Sequence, residues 1–517
     1  MKKLDRTTNA SRNIMSGFAL KVFQLIIPFI LRTVIIYCLG IEYLGLNTLF
    51  SSILQILSLA ELGVGTAMVF SMYKPIVEDD QGTICALMQL YKIYYRIIGI
   101  IILVMGLVLL PFLPQLIKSD IPSDMNLYVL YLFNLSATVL SYWLFAYKNC
   151  LLTAHQRNDI SNKVTLIVQV VQYIVQFIVL FLFKNYYYYV IVTLLAQVCT
   201  NISTEIVVSK MYPQYRAAGK LSKEETKVIN RKIKDLFTAK LGSVILTSVD
   251  SVVISAFLGL KTLAIYNNYY YIVNAIMSFV TIMLTSITAG LGNSFITETK
   301  ERNFITFQNL TFILLWLLGI GVTCFMCLYQ PFMEIWVGQE NMLSIYVVIF
   351  LCAYFYICEI NALLNTFKDA AGIWHIDRFR PLTVAFTNLV LNLVSVKFIG
   401  VYGIILSTVV SILCVGMPWV THNVFKYIFD GCSKKKYILK VLKFTVVIVV
   451  GSAIAYWVCK LLPNGVIFIA IRLIVCILVS NILYWVVFRR YSEYRYMLNM
   501  MYQFKDKIIK KQYKQNV

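Results

Sequence analysis

Long apolar runs succeed one another along almost the whole chain, interrupted only by short charged connections. As an α-helix, a run of roughly 20 apolar residues matches the hydrocarbon thickness of a bilayer. The sequence offers about fourteen such runs. They are 13–38, 43–72, 86–116, 127–152, 162–183, 186–208, 233–258, 263–291, 305–329, 345–367, 382–399, 402–424, 437–459 and 466–487. Lipid gives backbone polar groups no water to bond, so only helices and closed barrels cross it, and barrel strands would read as short alternating segments. The expected fold class is all-α, a polytopic membrane protein of about 14 transmembrane helices. The first run holds Lys21, Pro28 and Arg32 and lacks a small-residue cleavage site, so it is expected to stay as helix one rather than be removed as a signal peptide.

The formal net charge is +22, which could suggest a nucleic-acid partner, but the positions of the charges argue otherwise. With the N-terminus placed inside, the inner connections collect Lys74, Lys148, Arg157, Lys163, the cluster from Lys210 to Lys234, Lys300, Arg302, Lys368, Arg378, Arg380, Lys426 and Lys434 to Lys436. The outer connections hold only Lys118, Lys184, Lys261, Lys397 and Lys460. The positive-inside rule then puts both termini in the cytoplasm of a multi-pass cell-membrane protein, and the basic excess suits anionic headgroups of the lipid bilayer, with no nucleic acid implied.

The chain also repeats itself. FALKVFQLIIPFILRTVIIYCLGIEYLG, from Phe18, aligns at a constant offset with FTAKLGSVILTSVDSVVISAFLGLKTLA, from Phe237, pairing Lys21 with Lys240, Ile26 with Ile245 and Leu44 with Leu263. The first copy continues to Arg32, whereas the second carries Asp250 one position out of register. An even number of spans before the restart gives both copies the same orientation. The expected organisation is an N-terminal six-helix lobe (1–210), a basic cytoplasmic linker (211–232), a second six-helix lobe (233–430), two appended helices (431–488) and a basic tail (489–517), an interfacial helix or partly disordered. Ser222 followed by Glu225 predicts a capping box opening span seven.

Polar side chains inside membrane helices are costly unless they face protein or water. At about 100° per residue, Asn47, Ser51, Gln55, Ser58 and Glu61 fall on one side of span two, and Asn267, Asn274, Ser278, Thr281, Thr285 and Thr288 on one side of span eight. Span seven aligns Lys240, Ser243, Thr247 and Asp250, and span one places Lys21 and Arg32 about 16 Å apart on one side, with Pro28 a bending point between them. Four coincident stripes predict a hydrated cationic cavity in which Lys21 and Lys240 face each other. Buried ion pairs with Glu61 and Asp250 are the structural alternative. The tyrosine clusters 186–189 and 269–271 are expected as an interfacial belt. Cys324 and Cys327, with no His or further Cys nearby in sequence, read as core packing, and no metal or other cofactor is expected.

Six plus six plus two spans, with cations in spans one and seven, resemble the oligosaccharide flippases of the multidrug/oligosaccharidyl-lipid/polysaccharide (MOP) exporter superfamily. The wording RNIMSGF, LGIEYLGLNTLFSSILQILSLAELGVGTAM and YKPIVEDD is similar to the start of bacterial capsule and cell-surface polysaccharide flippases. The resemblance implies a V-shaped pair of lobes in a bacterial plasma membrane. It also implies alternating-access transfer of undecaprenyl-diphosphate-linked oligosaccharide repeat units to the outer leaflet, alongside polymerase and chain-length proteins of the same pathway. On that implication Lys21, Arg32 and Lys240 hold the diphosphate, Asn47, Ser51, Gln55, Asn274 and Ser278 bond sugars, and Glu61 and Asp250 are candidates for proton or sodium coupling. Span eight carries no Arg or Lys, unlike the related lipid II flippases, which leaves a contribution from Arg96 open.

No catalytic residue is expected. Outer connections are short, and His155, His375 and His422 all sit at inner helix ends, useless as bases for outer-leaflet polymerase or glycosyltransferase chemistry. A drug or small-cation antiporter of the same superfamily is the closer rival, and three bases against two acids in the cavity helices disfavour it.

Overall fold

The computed structural model describes residues 6–118, 121–122, 124–463 and 465–502. It is helical as expected. In chain order the helices are α1 (Arg6–Cys38), α2 (Ile41–Leu57), α3 (Val64–Glu78), α4 (Gln81–Leu109), α5 (Leu127–Trp143), α6 (Asn149–Ala154), α7 (Asn158–Leu182), α8 (Tyr186–Met211) and α9 (Lys223–Leu258). There follow α10 (Leu260–Thr297), α11 (Lys300–Val337), α12 (Ile345–Ala370), α13 (Arg380–Ile399), α14 (Val401–Ser411), α15 (Met417–Tyr427), α16 (Lys434–Lys460) and α17 (Val466–Phe488). Among the described residues, thirteen helical segments are long and apolar enough to cross a membrane, or 14 if the pair bent by 46° between Trp143 and Ala146 is one span.

Local chemistry accounts for several boundaries. Ser222 and Glu225 form the predicted capping box, each side chain bonding the other's backbone N–H, and this starts α9. Asn126 and Asn185 cap α5 and α8 by accepting from the first free amides of each helix. The preceding stretch 212–222 is held against its surroundings. Ala218 donates its amide to the Cys85 carbonyl, and the Tyr212 ring lies 4.5 Å from that of His155.

Two expected spans are broken. Span two stops at Leu57, passes through a 3-10 turn at Ser58–Glu61 and a left-handed Gly63 (φ 89°), and restarts as α3. Gly63 has a second reason to be glycine, since a Cβ there would lie 2.7 Å from the Leu236 Cβ of α9. Span four breaks at Leu144 and Phe145, the latter at φ 56°.

Packing divides the chain into two compact units. Unit one comprises Met1–Asn267 and Pro381–Val401, so α9 packs there on α2 and α3; unit two comprises Asn268–Arg380 and Tyr402–Val517. In unit two a phenylalanine cluster, including Phe307, Phe367 and Phe429, fills the space between helices with edge-to-face and tilted rings. Residues 492–502 are helical, with Glu493 paired to Lys440. The rest of the tail lies outside the described residues.

Two sequence expectations need correction. Tyr186, Tyr189 and Tyr269 are not belt residues but buried core. Tyr269 stacks on Tyr329 and donates its hydroxyl to Gln330, satisfying internally the polar end that a belt tyrosine would hold in the headgroups. The argument that Cys324 and Cys327 lack partner thiols also fails, because α16 and α17 bring Cys459 and Cys476 to Cys327, with all three sulfurs within 4.8 Å of one another. These thiols are buried against Ala455 and Met326. A lipid-soluble maleimide, followed by mass spectrometry, is expected to modify exposed Cys199 and Cys414 and to spare Cys327, Cys459 and Cys476 in the folded protein.

Candidate functional site

The polar stripe of α2 is the open face of an otherwise buried helix. Leu46, Leu49, Phe50 and Ile53 are at most 3% exposed, whereas Ser51 and Gln55 are exposed and Asn47 is half-buried. Helix α9 shows the same polarity, with Lys240, Ser243 and Thr247 exposed and Ser248, Ser251 and Ser255 buried. A helix that meets lipid would expose its apolar residues instead. These two open faces therefore suit water or a polar ligand.

Unit one also holds the candidate cations. Lys240 Nζ donates to Thr66 Oγ1 at 3.2 Å. Lys21 on α1 is half-buried and makes no hydrogen bond or ion pair with a described residue. Neither lysine pairs with a carboxylate among the described residues. Arg32 Nη2 donates to Asn267 Oδ1 at 2.5 Å, tying α1 to the start of α10. Arg96 is exposed on α4, and its carbonyl accepts from the Trp143 indole.

The two acids have other partners. Glu61 does not continue the α2 stripe, because the 3-10 turn advances about 120° per residue rather than 100° and redirects it. Its oxygens accept from Tyr95 at 2.7 Å and Tyr142 at 2.8 Å, and Tyr91 in turn donates to Tyr95. Glu61 thereby lines a polar cavity of about 360 Å³ with Ser141, Thr165, Gln197, Asn201 and Thr204, all in unit one. Both helix breaks border this cavity. Asp250 accepts from Asn392 Nδ2 at 2.6 Å, and Asn388 Oδ1 lies 3.2 Å from the same nitrogen. The buried Asn392 Oδ1 has no hydrogen-bond partner. Sequence reading missed Asn388 and Asn392; two buried amides one turn apart in an apolar span were the signal.

In unit two, Asn274 is exposed on α10 and Ser278 is half-buried, its hydroxyl bonded back to the Asn274 carbonyl. Thr281 and Thr285 continue that open polar face.

Comparison with known proteins agrees with this architecture. Residues 10–289 match the family model described as "Polysaccharide biosynthesis protein". No curated protein sequence matches the chain. Among solved structures, the lipid II flippase MurJ in an inward closed conformation superposes with TM-score 0.65 at 13% identity, over 92% of this chain and 98% of that one. An inward-facing multidrug resistance MATE family transporter of the MOP superfamily gives 0.59 at 15% identity, over 78% and 96%. A mutant of the Vibrio cholerae MATE transporter VcmN gives 0.53 at 15% identity, over 81% and 98%. At such identities the likeness establishes the fold. With the family model covering more than half of its residues, the chain belongs to the polysaccharide biosynthesis protein family and has the fold of the MOP-superfamily flippases and transporters.

Proposed function

We propose that the protein is a flippase for undecaprenyl-diphosphate-linked oligosaccharide repeat units in a bacterial plasma membrane, with both termini cytoplasmic and the product used for capsule or other surface polysaccharide. The observation that carries this reading is that Lys240 on the open polar face of α9 and Lys21 in α1 are cations with no carboxylate partner among the described residues. A sugar diphosphate cannot shed its water into hydrocarbon at useful cost. Fixed ammonium groups and the side chains of Asn47, Ser51 and Gln55 replace that water. In this assignment Lys21, Arg32 and Lys240 hold the diphosphate, and Asn274 and Ser278 serve the sugars.

A drug-cation antiporter would need acids where these lysines stand, and Glu61, just past the end of α2, turns toward tyrosines. Membrane polymerase or transferase chemistry lacks support in the family match, so no catalytic role is assigned. The division into six-helix lobes at 1–210 and 233–430, with a linker at 211–232, appended helices at 431–488 and a basic tail, is retained as a proposal.

Coupling is assigned to Asp250, where a carboxylate and two amides converge, with Glu61 in its separate cavity as second candidate for a proton or sodium ion. Asp250→Asn is expected to remove gradient-driven accumulation while leaving substrate binding, and full gradient-driven transport by this variant would eliminate Asp250. The test of the function itself is gene deletion complemented by wild type, Lys21→Ala or Arg32→Ala. Lipid-linked repeat units are expected to accumulate in the inner leaflet unless the wild type is restored. Normal surface polysaccharide in the deletion strain, without a redundant exporter, would sink the proposal.

A further inference from the structure

Helix α12 carries a carboxyl group that the sequence stripes do not include. Glu359 lies near the middle of this apolar, membrane-length helix and is 1% exposed. Its Oε2 is buried with no hydrogen-bond partner, and Glu359 makes no ion pair with any described residue. Other buried carboxylates are compensated: Asp159 by Arg157 and Lys163, and Asp377 by Lys368 and Arg380. Glu359 stands apart from that pattern.

The charged groups on neighbouring elements do not reach it. Those on α11 are Lys300, Glu301, Arg302 and Glu334 near its ends, α15 has Lys426 and the titratable His422, and α16, whose Thr445 bonds Tyr356, has Lys434, Lys435, Lys436, Lys440, Lys443 and Lys460 toward its ends. None is bonded to Glu359. The unit-two part of α10 has no charged residue, and Lys368 on α12 itself is bound to Asp369 and Asp377. An unpaired carboxylate in such surroundings costs several kcal/mol, so the group is held as the neutral acid.

Two features adjoin that acid. Helix α12 packs against the π-helical turn Ile412–Gly416 that joins α14 to α15. Such turns carry an extra residue, strain the helix and recur at functional sites. Next to the turn is an apolar cavity of about 570 Å³, whose walls include Tyr356 and Ile360, which flank Glu359 on α12, and Leu413 and Met417. Tyr356 and Thr445 share a hydroxyl hydrogen bond of 2.8 Å at its wall.

We propose that Glu359 is a proton-binding site within unit two, loaded while buried and unloaded when the π-turn segment packed on α12 shifts and admits water. On unloading, the O–H bond breaks, the proton passes to water and the carboxylate is stabilised by hydration. Reprotonation restores the neutral acid before the site closes. The site is independent of Glu61 and Asp250, and it does not rest on the identity of the transported lipid.

Difference infrared spectroscopy of the purified full-length protein in lipid nanodiscs, with no substrate added, tests this directly. A protonated-carboxyl band is expected in neutral sodium-free buffer, lost in Glu359→Gln, shifted in frequency in Glu359→Asp and unchanged when sodium is added. An identical band in wild type and Glu359→Gln, or no such band in wild type, overturns the proposal. Loss of the band on adding sodium at constant pH also overturns it, since the occupant is then a metal cation. Because no transport is measured, failure here leaves the flippase reading standing, and failure of the flippase reading leaves this site standing.

Discussion

Alanine at both Lys21 and Lys240 is expected to lower transport of a diphosphate-linked lipid by at least about 100-fold, since each charge-assisted hydrogen bond to the diphosphate contributes about 1.5–3 kcal/mol. The same double variant is expected to unfold at nearly the wild-type temperature. Lys21 has no bonded partner among the described residues, and Lys240 has only the Thr66 hydroxyl, so truncation strands no buried carboxylate. That separation makes the result interpretable. A lysine placed for stability would sit against an acid, and its loss would cost several kcal/mol through the charge left behind. The measurements are flipping of a fluorescent undecaprenyl-diphosphate oligosaccharide in proteoliposomes and thermal unfolding of the same preparation. Arginine at both positions should restore much of the activity, because positive charge is retained even though its geometry differs. Wild-type transport by the alanine pair would remove the diphosphate from Lys21 and Lys240. A large drop in unfolding temperature would make them structural.

The lysines and open polar faces were legible because periodicity carries over into a straight helix. Residues 47, 51 and 55 share a face at 100° per residue in sequence and in α2 alike. The same arithmetic failed at Glu61, four residues past the helix end, because the Ser58–Glu61 turn changes the rotation per residue. What depends on distant segments was not legible. Cys459 and Cys476 meet Cys327 through the packing of α16 and α17 on α11, and no spacing announces that meeting. Asn392 reaches Asp250 because α13 packs with unit one, although more than a hundred residues separate them. Glu359 was visible as an intramembrane acid, but its isolation was not. A carboxylate's partners are a property of the folded surroundings, which sequence order does not give.

Adding a single methyl group at Gly45 or Gly242 is expected to destabilise the protein by about 2–3 kcal/mol, at the upper end for overpacking a well-filled core. Both glycines are buried in unit one. A Cβ on Gly242 would lie 2.3 Å from the Pro381 carbonyl carbon and 2.4 Å from its oxygen, and one on Gly45 would lie 2.4 Å from the Leu260 carbonyl oxygen. These are backbone atoms, which cannot rotate away as a side chain could, so the helices must separate. Small residues let helix backbones approach closely in membranes, where van der Waals contact replaces the hydrophobic effect as the force between helices. Helix propensity works in the opposite direction, since alanine is favoured over glycine by about 1 kcal/mol within a helix. Gly290→Ala is the matched control. It lies in α10 with nothing within 4 Å of the added carbon, and is expected to be neutral or stabilising. Thermal unfolding and size-exclusion profiles of Gly45→Ala, Gly242→Ala and Gly290→Ala decide the matter. Equal stability of all three would mean that α2 and α9 do not approach Leu260 and Pro381 as closely as the structure places them, and the open polar faces of those two helices would lose their fixed positions with that contact.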